Sequence, residues 1–242
     1  KEVLIITKPI DQYLFKKLLG DGSQWGLKIV YAIQKNPNGL AEAFIIGKEF
    51  VGESNVALIL GDNIFYGQGL EASLIKSTSY NKGSTIYGYK VSNPKDYGVA
   101  EVNKKMEVIS INEKPSKPRS NIAVTGLYFY DNEVIKIAEK IRPSKRGELE
   151  ITSINKIYMK NKKLRLELLG RGTAWLDMGT FDNLLSAGEF IQTIEKRQGL
   201  KIASLEEIAF YKKYISRKKL EKIISTIKGS EYGNYLQLLI TK

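Results

Sequence analysis

The chain has 242 residues, of which 43% are hydrophobic and 26% charged, an ordinary balance for a globular protein with a sizeable core. It contains no cysteine and no histidine, which excludes disulfides, thiolate metal sites and histidine-based catalysis. No apolar run is long enough to span a bilayer, so we expect no membrane partner. Any catalysis should depend on carboxylates, Lys, Arg, hydroxyls, backbone groups or a hard metal ion, and the lack of cysteine suits a cytoplasmic location.

The formal net charge of +12 makes nucleic-acid binding an alternative, because clustered basic residues neutralise phosphates. The basic residues are spread along the chain, however, apart from the short run Arg217-Lys218-Lys219. We interpret the charge as a Lys-rich solvated surface and expect no nucleic-acid partner.

Alternating strand and helix patterns predict right-handed βαβ units in the first part of the chain. Strands are predicted at residues 2–7, 27–34 and 56–60, with helices at 11–19 and 39–50 between them. The apolar run from Val56 to Leu60 is typical of a strand buried on both faces in a parallel sheet.

The central part of the chain breaks this rhythm with a predicted hairpin over residues 96–113. The full set of later elements is a loop at 64–69, strands at 85–91, 96–102, 108–113, 123–130, 164–169 and 174–177, and helices at 70–77, 132–141, 148–159 and 181–196. We therefore predict a Rossmann-like α/β fold with a mixed, mainly parallel sheet flanked by helices.

The C-terminal part is helical, with patterns at 205–214, 219–227 and 231–240. We predict an α/β domain over residues 1–197 and a C-terminal helical segment, 198–242, that packs on it.

Two acids follow predicted strands beside glycines, Asp62 after residues 56–60 and Asp177 at the end of 174–177. Ligands of open α/β sheets bind beyond the carboxyl ends of the strands. Two carboxylates there favour a hard cation such as Mg²⁺, held together with substrate phosphates. The alternative is that each acid is only a turn residue or a helix cap.

Two cations also lie at predicted element ends, Lys114 after the hairpin and Arg146 just before the helix at 148. Converging on a helix N-terminus, they would bind a phosphate, although both could be surface cations. Gln34, which precedes Gly39, could hydrogen-bond a base edge or could be a solvated loop amide.

Taken in order, these segments resemble the sugar-1-phosphate nucleotidylyltransferases. The motifs that carry the resemblance are Gln34 with Pro37-Asn38-Gly39-Leu40-Ala41, Gly61-Asp62-Asn63, Tyr97-Gly98-Val99, Glu113-Lys114-Pro115, Val124-Thr125-Gly126-Leu127-Tyr128, Arg146-Gly147-Glu148-Leu149-Glu150-Ile151-Thr152 and Trp175-Leu176-Asp177-Met178-Gly179-Thr180. The resemblance extends over essentially the whole chain, including Lys196-Arg197-Gln198-Gly199 and Leu205-Glu206-Glu207-Ile208-Ala209. It implies a fold of the nucleotide-diphospho-sugar transferase type.

The resemblance also implies a reaction. A thymidylyl group would pass from dTTP to glucose 1-phosphate, giving dTDP-glucose and pyrophosphate for deoxysugar, L-rhamnose and surface polysaccharide synthesis. Asp62 and Asp177 would bind Mg²⁺, and Lys114 and Arg146 would bind the sugar phosphate, so that these form the implied catalytic set.

Further roles are implied by matching motifs. The implied substrate-binding residues are Gln34 and Gly39 for thymine, Gly98, Glu113 and Val124 around the sugar with Trp175 nearby, and Leu40 and Tyr97 without a more specific role. The resemblance further suggests a homotetramer with an inhibitory nucleotide site, for which Glu207 and Ile208 are candidates.

The start of the sequence departs from the family pattern. Family members begin with a strand that leads into a glycine-rich loop, G-G-x-G-T-R-L, followed by a Lys, and these bind the dTTP phosphates. Neither is found here, so we expect the printed chain on its own to be inactive. The alternatives are an inactive or truncated homologue and a related metal-dependent glycosyltransferase, although the latter usually has Asp-x-Asp where this chain has Asp62-Asn63-Ile64.

Overall fold

The computed structural model describes residues 1–80 and 82–241. These residues form two compact units: the larger unit is Asn36–Ala187, and the smaller unit combines Lys1–Lys35 with Gly188–Lys242. In this division the first 35 residues group with the C-terminal helices, and the predicted domain boundary near residue 198 stays a prediction.

The secondary structure follows most of the predicted pattern. The strands are β1 (Glu2–Thr7), β2 (Lys28–Ile33), β3 (Val56–Ile59), β4 (Asn63–Tyr66), β5 (Ser84–Lys90), β6 (Gly98–Val102), β7 (Val108–Glu113), β8 (Ile122–Tyr130), β9 (Leu164–Leu168) and β10 (Ala174–Asp177). The α-helices are α1 (Gln12–Leu19), α2 (Glu42–Ile46), α3 (Lys48–Val51), α4 (Leu70–Thr78), α5 (Glu133–Ala138), α6 (Ile151–Lys160), α7 (Phe181–Gln198), α8 (Leu205–Tyr211), α9 (Arg217–Thr226) and α10 (Glu231–Thr241). Two short 3₁₀ helices cover Ser23–Trp25 and Pro94–Asp96.

The larger unit is built on a six-stranded sheet in the order β7-β6-β8-β5-β9, with β3 also paired to β8. The predicted mixed sheet flanked by helices is confirmed. Its neighbouring strands are mainly antiparallel, however, because β8 runs against β3, β5 and β6. The expected parallel bias is therefore wrong for the pairings, although β3, β5, β6 and β9 all run in one direction.

One edge of β8 changes partner along its length. Residues 127–130 pair with β3, and residues 122–124 pair with β6. Thr125 and Gly126 lie between these two ladders, and the carbonyl of Gly126 accepts a hydrogen bond from Leu60 N at 2.9 Å. The turn that follows β3 is thereby fixed against the middle of β8.

A second, two-stranded ladder joins β4 to β10 in the antiparallel sense and pairs Asn63 with Asp177. The prediction of a loop at 64–69 is wrong for its first half, since residues 63–66 form β4. The local sequence pattern could not predict β4, because this strand depends on pairing with β10, which lies far along the chain.

Two other expectations about the first elements are wrong. Ala57 and Ile59 of β3 are exposed and Val56 and Leu58 are half-buried, so this strand is not buried on both faces. The predicted helix 39–50 is divided into α2 and α3 at Gly47. Phe44 is buried there, whereas Leu40 is 41% exposed.

The core of the larger unit lies between the sheet and the helices α2, α5 and α6. Its members include Phe44, Ile86, Ile111, Tyr128, Val134, Ile154 and Tyr158. Helix α6 contributes Ile151, Ile154 and Tyr158 at helical spacing, which fixes its first turn against the sheet.

The smaller unit joins the parallel pair β1 and β2 to α8, α9 and α10. Trp25, Ile29, Leu220 and Leu236 are buried in its core. Ser204 and Ser216 cap α8 and α9 by accepting hydrogen bonds from backbone N–H groups three residues later. Within the described residues, no helix combines the length and apolarity that crossing a membrane requires.

Candidate functional site

A pocket of about 230 Å³ lies in the larger unit, beside the point where β8 changes partner. It gathers most of the site residues predicted from the sequence: Leu40, Asp62, Tyr97, Gly98, Glu113, Lys114, Val124, Arg146, Trp175 and Asp177. These residues come from separate strands and loops, so the fold brings together what the sequence motifs place far apart.

The other predicted residues lie elsewhere. Gly39 has a φ of 106° and packs against the backbone of Leu149, where an added Cβ would be 2.5 Å from the Leu149 carbonyl oxygen. Glycine is therefore required at this position for packing. Gln34, Glu207 and Ile208 belong to the smaller unit.

The acid side of the pocket consists of Asp62 and Asp177, which are neighbours across the β4–β10 ladder. Asp177 pairs with Asn63, and Met178 N donates to the Asp62 carbonyl at 2.8 Å. The pKa of Asp177 is raised, chiefly by burial and also by the negative charge of Asp62, while the hydrogen bond from Gly179 N and the positive charge of Lys114 lower it. The two carboxylates thus repel each other within a partly desolvated site.

These two carboxylates are suited to a hard dication. Over residues 1–80 and 82–241, neither forms a side-chain ion pair within 4.0 Å, and no group of three metal-binding acids occurs. Mg²⁺ is usually bound by one or two carboxylates plus substrate phosphates and water. The donor set therefore fits a metal ion whose coordination the substrate completes.

Asn63 is a site residue that the sequence patterns did not assign. Its side-chain Oδ1 accepts hydrogen bonds from Trp175 Nε1 at 2.7 Å and from Gly126 N at 3.1 Å. Its Nδ2 donates to Asp62 Oδ1 at 2.8 Å. The position next to Asp62 was the only available signal, because the partners are 112 and 63 residues away.

Aromatic rings form the wall next to the acids. The Trp175 ring lies 5.1 Å from that of Tyr97 and 5.8 Å from that of Tyr89, measured between centroids. Burial, together with the negative charges of Asp177 and Asp96, raises the pKa of Tyr97. Tyr97 therefore presents a neutral hydroxyl to the pocket at physiological pH.

Lys114 lies on the cation side in an unusual backbone conformation, with φ at 41° directly before Pro115. Its N–H donates to the Tyr97 carbonyl at 3.0 Å, which holds the end of the β6–β7 hairpin. The preceding Glu113 accepts a hydrogen bond from Thr152 Oγ1 at 2.6 Å. Left-handed backbone at a non-glycine residue costs of order 1–3 kcal/mol and clusters at functional sites.

Arg146, the second cation, is already paired with carboxylates. Its Nη2 lies 3.0 Å from Glu148 Oε2, and its Nε lies 3.5 Å from Glu150 Oε1. Ser144 Oγ also donates to Glu150 Oε1 at 2.9 Å. Helix α6 begins at Ile151, not at the predicted 148, so these glutamates precede the helix and are free to bind Arg146.

Comparison with known proteins defines the class. The sequence profile of a family described as nucleotidyl transferase matches residues 1–194. Since this match covers most of the chain, the chain belongs to the nucleotidyl transferase family.

The names of the chain's relatives are more specific than the family description. It is 48% identical to the glucose-1-phosphate thymidylyltransferase of Neisseria meningitidis over 242 residues, which is 100% of this chain and 84% of the relative. It is 50% identical to the enzyme of the same name from Xanthomonas campestris over 239 residues, 99% of this chain and 81% of that one.

Two solved structures are also similar to this chain. A Bacillus anthracis protein assigned as a glucose-1-phosphate thymidylyltransferase, solved with sucrose, aligns with a TM-score of 0.71 at 34% identity and covers 77% of this chain and 74% of its own. A UDP-glucose pyrophosphorylase with UDP-glucose aligns with a TM-score of 0.67 at 22% identity, over 79% of this chain and 81% of its own, which supports the fold alone.

Proposed function

We propose that the protein transfers a thymidylyl group from dTTP to glucose 1-phosphate and releases pyrophosphate. The observation that carries this proposal is the pocket itself, in which two carboxylates without ion-pair partners among the described residues share one cavity with Lys114 and Arg146. The names of relatives that are 46–50% identical to this chain support the choice of substrates.

In this reaction an oxygen of the sugar phosphate attacks the α-phosphorus of dTTP. A new P–O bond forms as the bond from the α-phosphorus to the β-phosphate bridging oxygen breaks, and pyrophosphate leaves with that electron pair. Such a transfer depends on positioning and charge neutralisation more than on covalent catalysis. A chain without histidine or cysteine can therefore perform it.

The cations would hold the attacking phosphate. Lys114 carries no ion pair within the described part of the chain, so its ammonium group is available for a phosphate oxygen. Arg146 would exchange the carboxylates of Glu148 and Glu150 for the phosphate, which reduces its net contribution.

The sugar would lie against Tyr97, Gly98, Glu113, Val124 and Trp175. A Cβ on Gly98 would be 3.2 Å from Glu113 Oε2, so glycine leaves room for a ring beside this carboxylate. The carboxylate of Glu113 is fixed by Thr152 and can accept a hydrogen bond from a sugar hydroxyl.

Asp62 and Asp177 would hold Mg²⁺, which, when bound, would neutralise charge on the dTTP phosphates. These side chains supply hard oxygen ligands from one end of the β4–β10 ladder, where Asp177 ends β10 and Asp62 precedes β4. The ladder holds the backbone of Asp177, and the hydrogen bond from Met178 N holds the carbonyl of Asp62, so little reorganisation is needed on binding.

Several finer roles remain predictions. They are the thymine-binding role of Gln34 and Gly39, the substrate contact of Leu40, the regulatory site at Glu207 and Ile208, the homotetramer and the cytoplasmic location. Ile208 is 47% exposed, but Glu207 accepts a hydrogen bond from the Tyr235 hydroxyl that a regulatory ligand would have to replace. Analytical ultracentrifugation with and without dTDP-sugar would test both the tetramer and the regulatory site.

The direct test uses the complete product of the gene with dTTP, glucose 1-phosphate and Mg²⁺. We expect dTDP-glucose and pyrophosphate in equal amounts, and neither when the sugar phosphate is left out. Release of pyrophosphate without a dTDP-sugar, or no reaction with any sugar 1-phosphate, would contradict the proposal.

A further inference from the structure

The side chain of Asn63 joins three parts of the larger unit at the floor of the pocket. It binds Trp175 of β10 and Gly126 of β8 through Oδ1, and the neighbouring Asp62 through Nδ2. The acid side and the aromatic wall are therefore connected through one amide group.

The orientation of this amide is fixed by its partners. Trp175 Nε1 and Gly126 N can only donate, so both require the oxygen of Asn63. The nitrogen then faces Asp62 Oδ1, to which it donates. A flipped amide would place N–H groups against two donors and an oxygen against a carboxylate, and would lose all three hydrogen bonds.

The backbone of β8 is shaped to accept this side chain. A Cβ on Gly126 would lie 2.6 Å from Asn63 Oδ1 and 2.8 Å from Leu60 Cγ. The amide therefore sits against the strand at a distance that only glycine permits. The carbonyl of Gly126 also accepts a hydrogen bond from Leu60 N, in the turn that follows β3.

We propose that Asn63 is a positioning residue that sets the orientation of the Asp62 carboxylate and anchors the Trp175 indole, so that both act as one unit. This proposal rests on the function proposed above. Asn63 acts through Asp62 and Trp175 and need not touch either substrate itself.

Two substitutions separate the two tasks of Asn63. Asn63→Asp keeps an oxygen for Trp175 and Gly126 but replaces the donor to Asp62 with a repelling carboxylate. Asn63→Ala removes all three contacts.

We expect kcat to fall about tenfold or more in both variants, the size expected for losing a charge-assisted hydrogen bond. The KM for glucose 1-phosphate should change little in Asn63→Asp, because the assigned phosphate-binding cations are untouched.

The indole provides a readout that does not depend on turnover. With ¹⁵N-labelled tryptophan, the Nε1–H resonance of Trp175, assigned through Trp175→Phe, reports its hydrogen bond. We expect it to stay near its wild-type position in Asn63→Asp and to shift, with faster solvent exchange, in Asn63→Ala.

The chain offers a closely matched control in the β6–β7 turn. Asn103 Oδ1 accepts from Lys105 N at 2.9 Å and from Glu107 N at 3.0 Å, while its Nδ2 donates to Glu107 Oε2 at 2.7 Å. Asn103→Asp thus introduces the same local repulsion away from the pocket. It should leave kcat and the Trp175 resonance unchanged.

The outcomes are distinct. Wild-type kcat in a folded Asn63→Asp, an equal loss in Asn103→Asp, or an unchanged indole resonance in Asn63→Ala would each overturn the positioning role. All these variants are made in the complete gene product, and an inactive wild-type form of that protein would instead refute the proposed function. The indole resonances of the Asn63 variants would then decide whether the anchoring of Trp175 stands.

Discussion

The two sides of the pocket carry opposite charges and are prepared in different ways. On the acid side, Asp62 directly precedes β4 and Asp177 ends the paired strand β10, and neither has an ion-pair partner among the described residues. On the cation side, Arg146 is neutralised by Glu148 and Glu150, while Lys114 is held by a strained backbone.

This difference indicates where each side obtains its counter-charge. Two neighbouring carboxylates without an ion-pair partner among the described residues favour a cation from solution, since Lys114 offsets the charge of Asp177 only in part and the repulsion between the acids is relieved when a cation binds. Arg146 has its partners already, so a phosphate must displace them. We therefore expect substitutions on the acid side to cost more activity than substitutions on the cation side.

The largest effect should follow loss of either acid. We expect Asp62→Asn and Asp177→Asn each to lower Mg²⁺-dependent turnover by about a hundredfold or more, since a neutral amide binds a hard dication poorly and metal stabilisation is worth several kcal/mol. Pyrophosphate release against Mg²⁺ concentration measures the loss, and circular dichroism checks the fold.

Asp96→Asn is the matched control, because Asp96 lines the same pocket but belongs to the 3₁₀ helix Pro94–Asp96 and is not one of the two proposed metal ligands. It should retain most of its turnover. Near-normal turnover in both acid variants would end the assignment of the metal ligands.

Lys114→Ala should have the next largest effect. Loss of a charge-assisted contact is worth roughly 1.5–3 kcal/mol, so the KM for glucose 1-phosphate should rise about tenfold or more, with a smaller change for dTTP. Steady-state kinetics with each substrate varied will show this. Lys117→Ala, an exposed lysine nearby that does not line the pocket, serves as the control, and an effect confined to dTTP would move Lys114 to the nucleotide side.

The rigidity of the acid side can be tested without touching an acid. Gly126→Ala would place a methyl group against Asn63 and Leu60, and we expect it to lower the free energy of unfolding by roughly 1–3 kcal/mol. Gly188→Ala in α7 has no heavy atom within 4 Å of the new methyl group and should instead stabilise by roughly 0.5–1 kcal/mol. Urea unfolding gives the free energy of unfolding of both variants. Equal values for Gly126→Ala and Gly188→Ala would show that Gly126 is not in tight contact with Asn63.

The smallest effect concerns Arg146. Glu148→Gln removes the charge of the carboxylate that binds the Arg146 guanidinium. An exposed ion pair of this kind is worth about 0.2–1 kcal/mol. The KM for glucose 1-phosphate should therefore fall by at most about fivefold. Glu139→Gln, which breaks the exposed pair with Lys48 outside the pocket, should leave this KM unchanged. A rise in KM in Glu148→Gln would show that Glu148 orients Arg146 and does not compete for it.

The sequence predicted those parts of the fold that depend on local periodicity. The hairpin of β6 and β7, the long strand β8 and the helices α4 and α7 appear where the patterns place them. Strand β4 was missed because it exists only through its pairing with β10, which no local pattern records. The direction of β8 was likewise unpredictable, since a buried apolar run looks the same in either orientation.

The candidate site, like the fold, could be predicted from the sequence only in part. The rule that ligands bind at strand ends, together with the family motifs, predicted which charged residues share the pocket. It could not predict that Arg146 is paired in advance, because Glu148 and Glu150 were expected inside the helix. The role of Asn63 depends on contacts with two distant residues and became visible only in three dimensions.

The most direct test of the acid pair is anomalous diffraction from crystals of the complete gene product soaked with Mn²⁺, a substitute for Mg²⁺, together with dTTP. We predict a single strong peak in this pocket in contact with carboxylate oxygens of both Asp62 and Asp177, and its loss in Asp62→Asn. A metal bound elsewhere, or one retained in the pocket of Asp62→Asn with unchanged occupancy, would contradict the account.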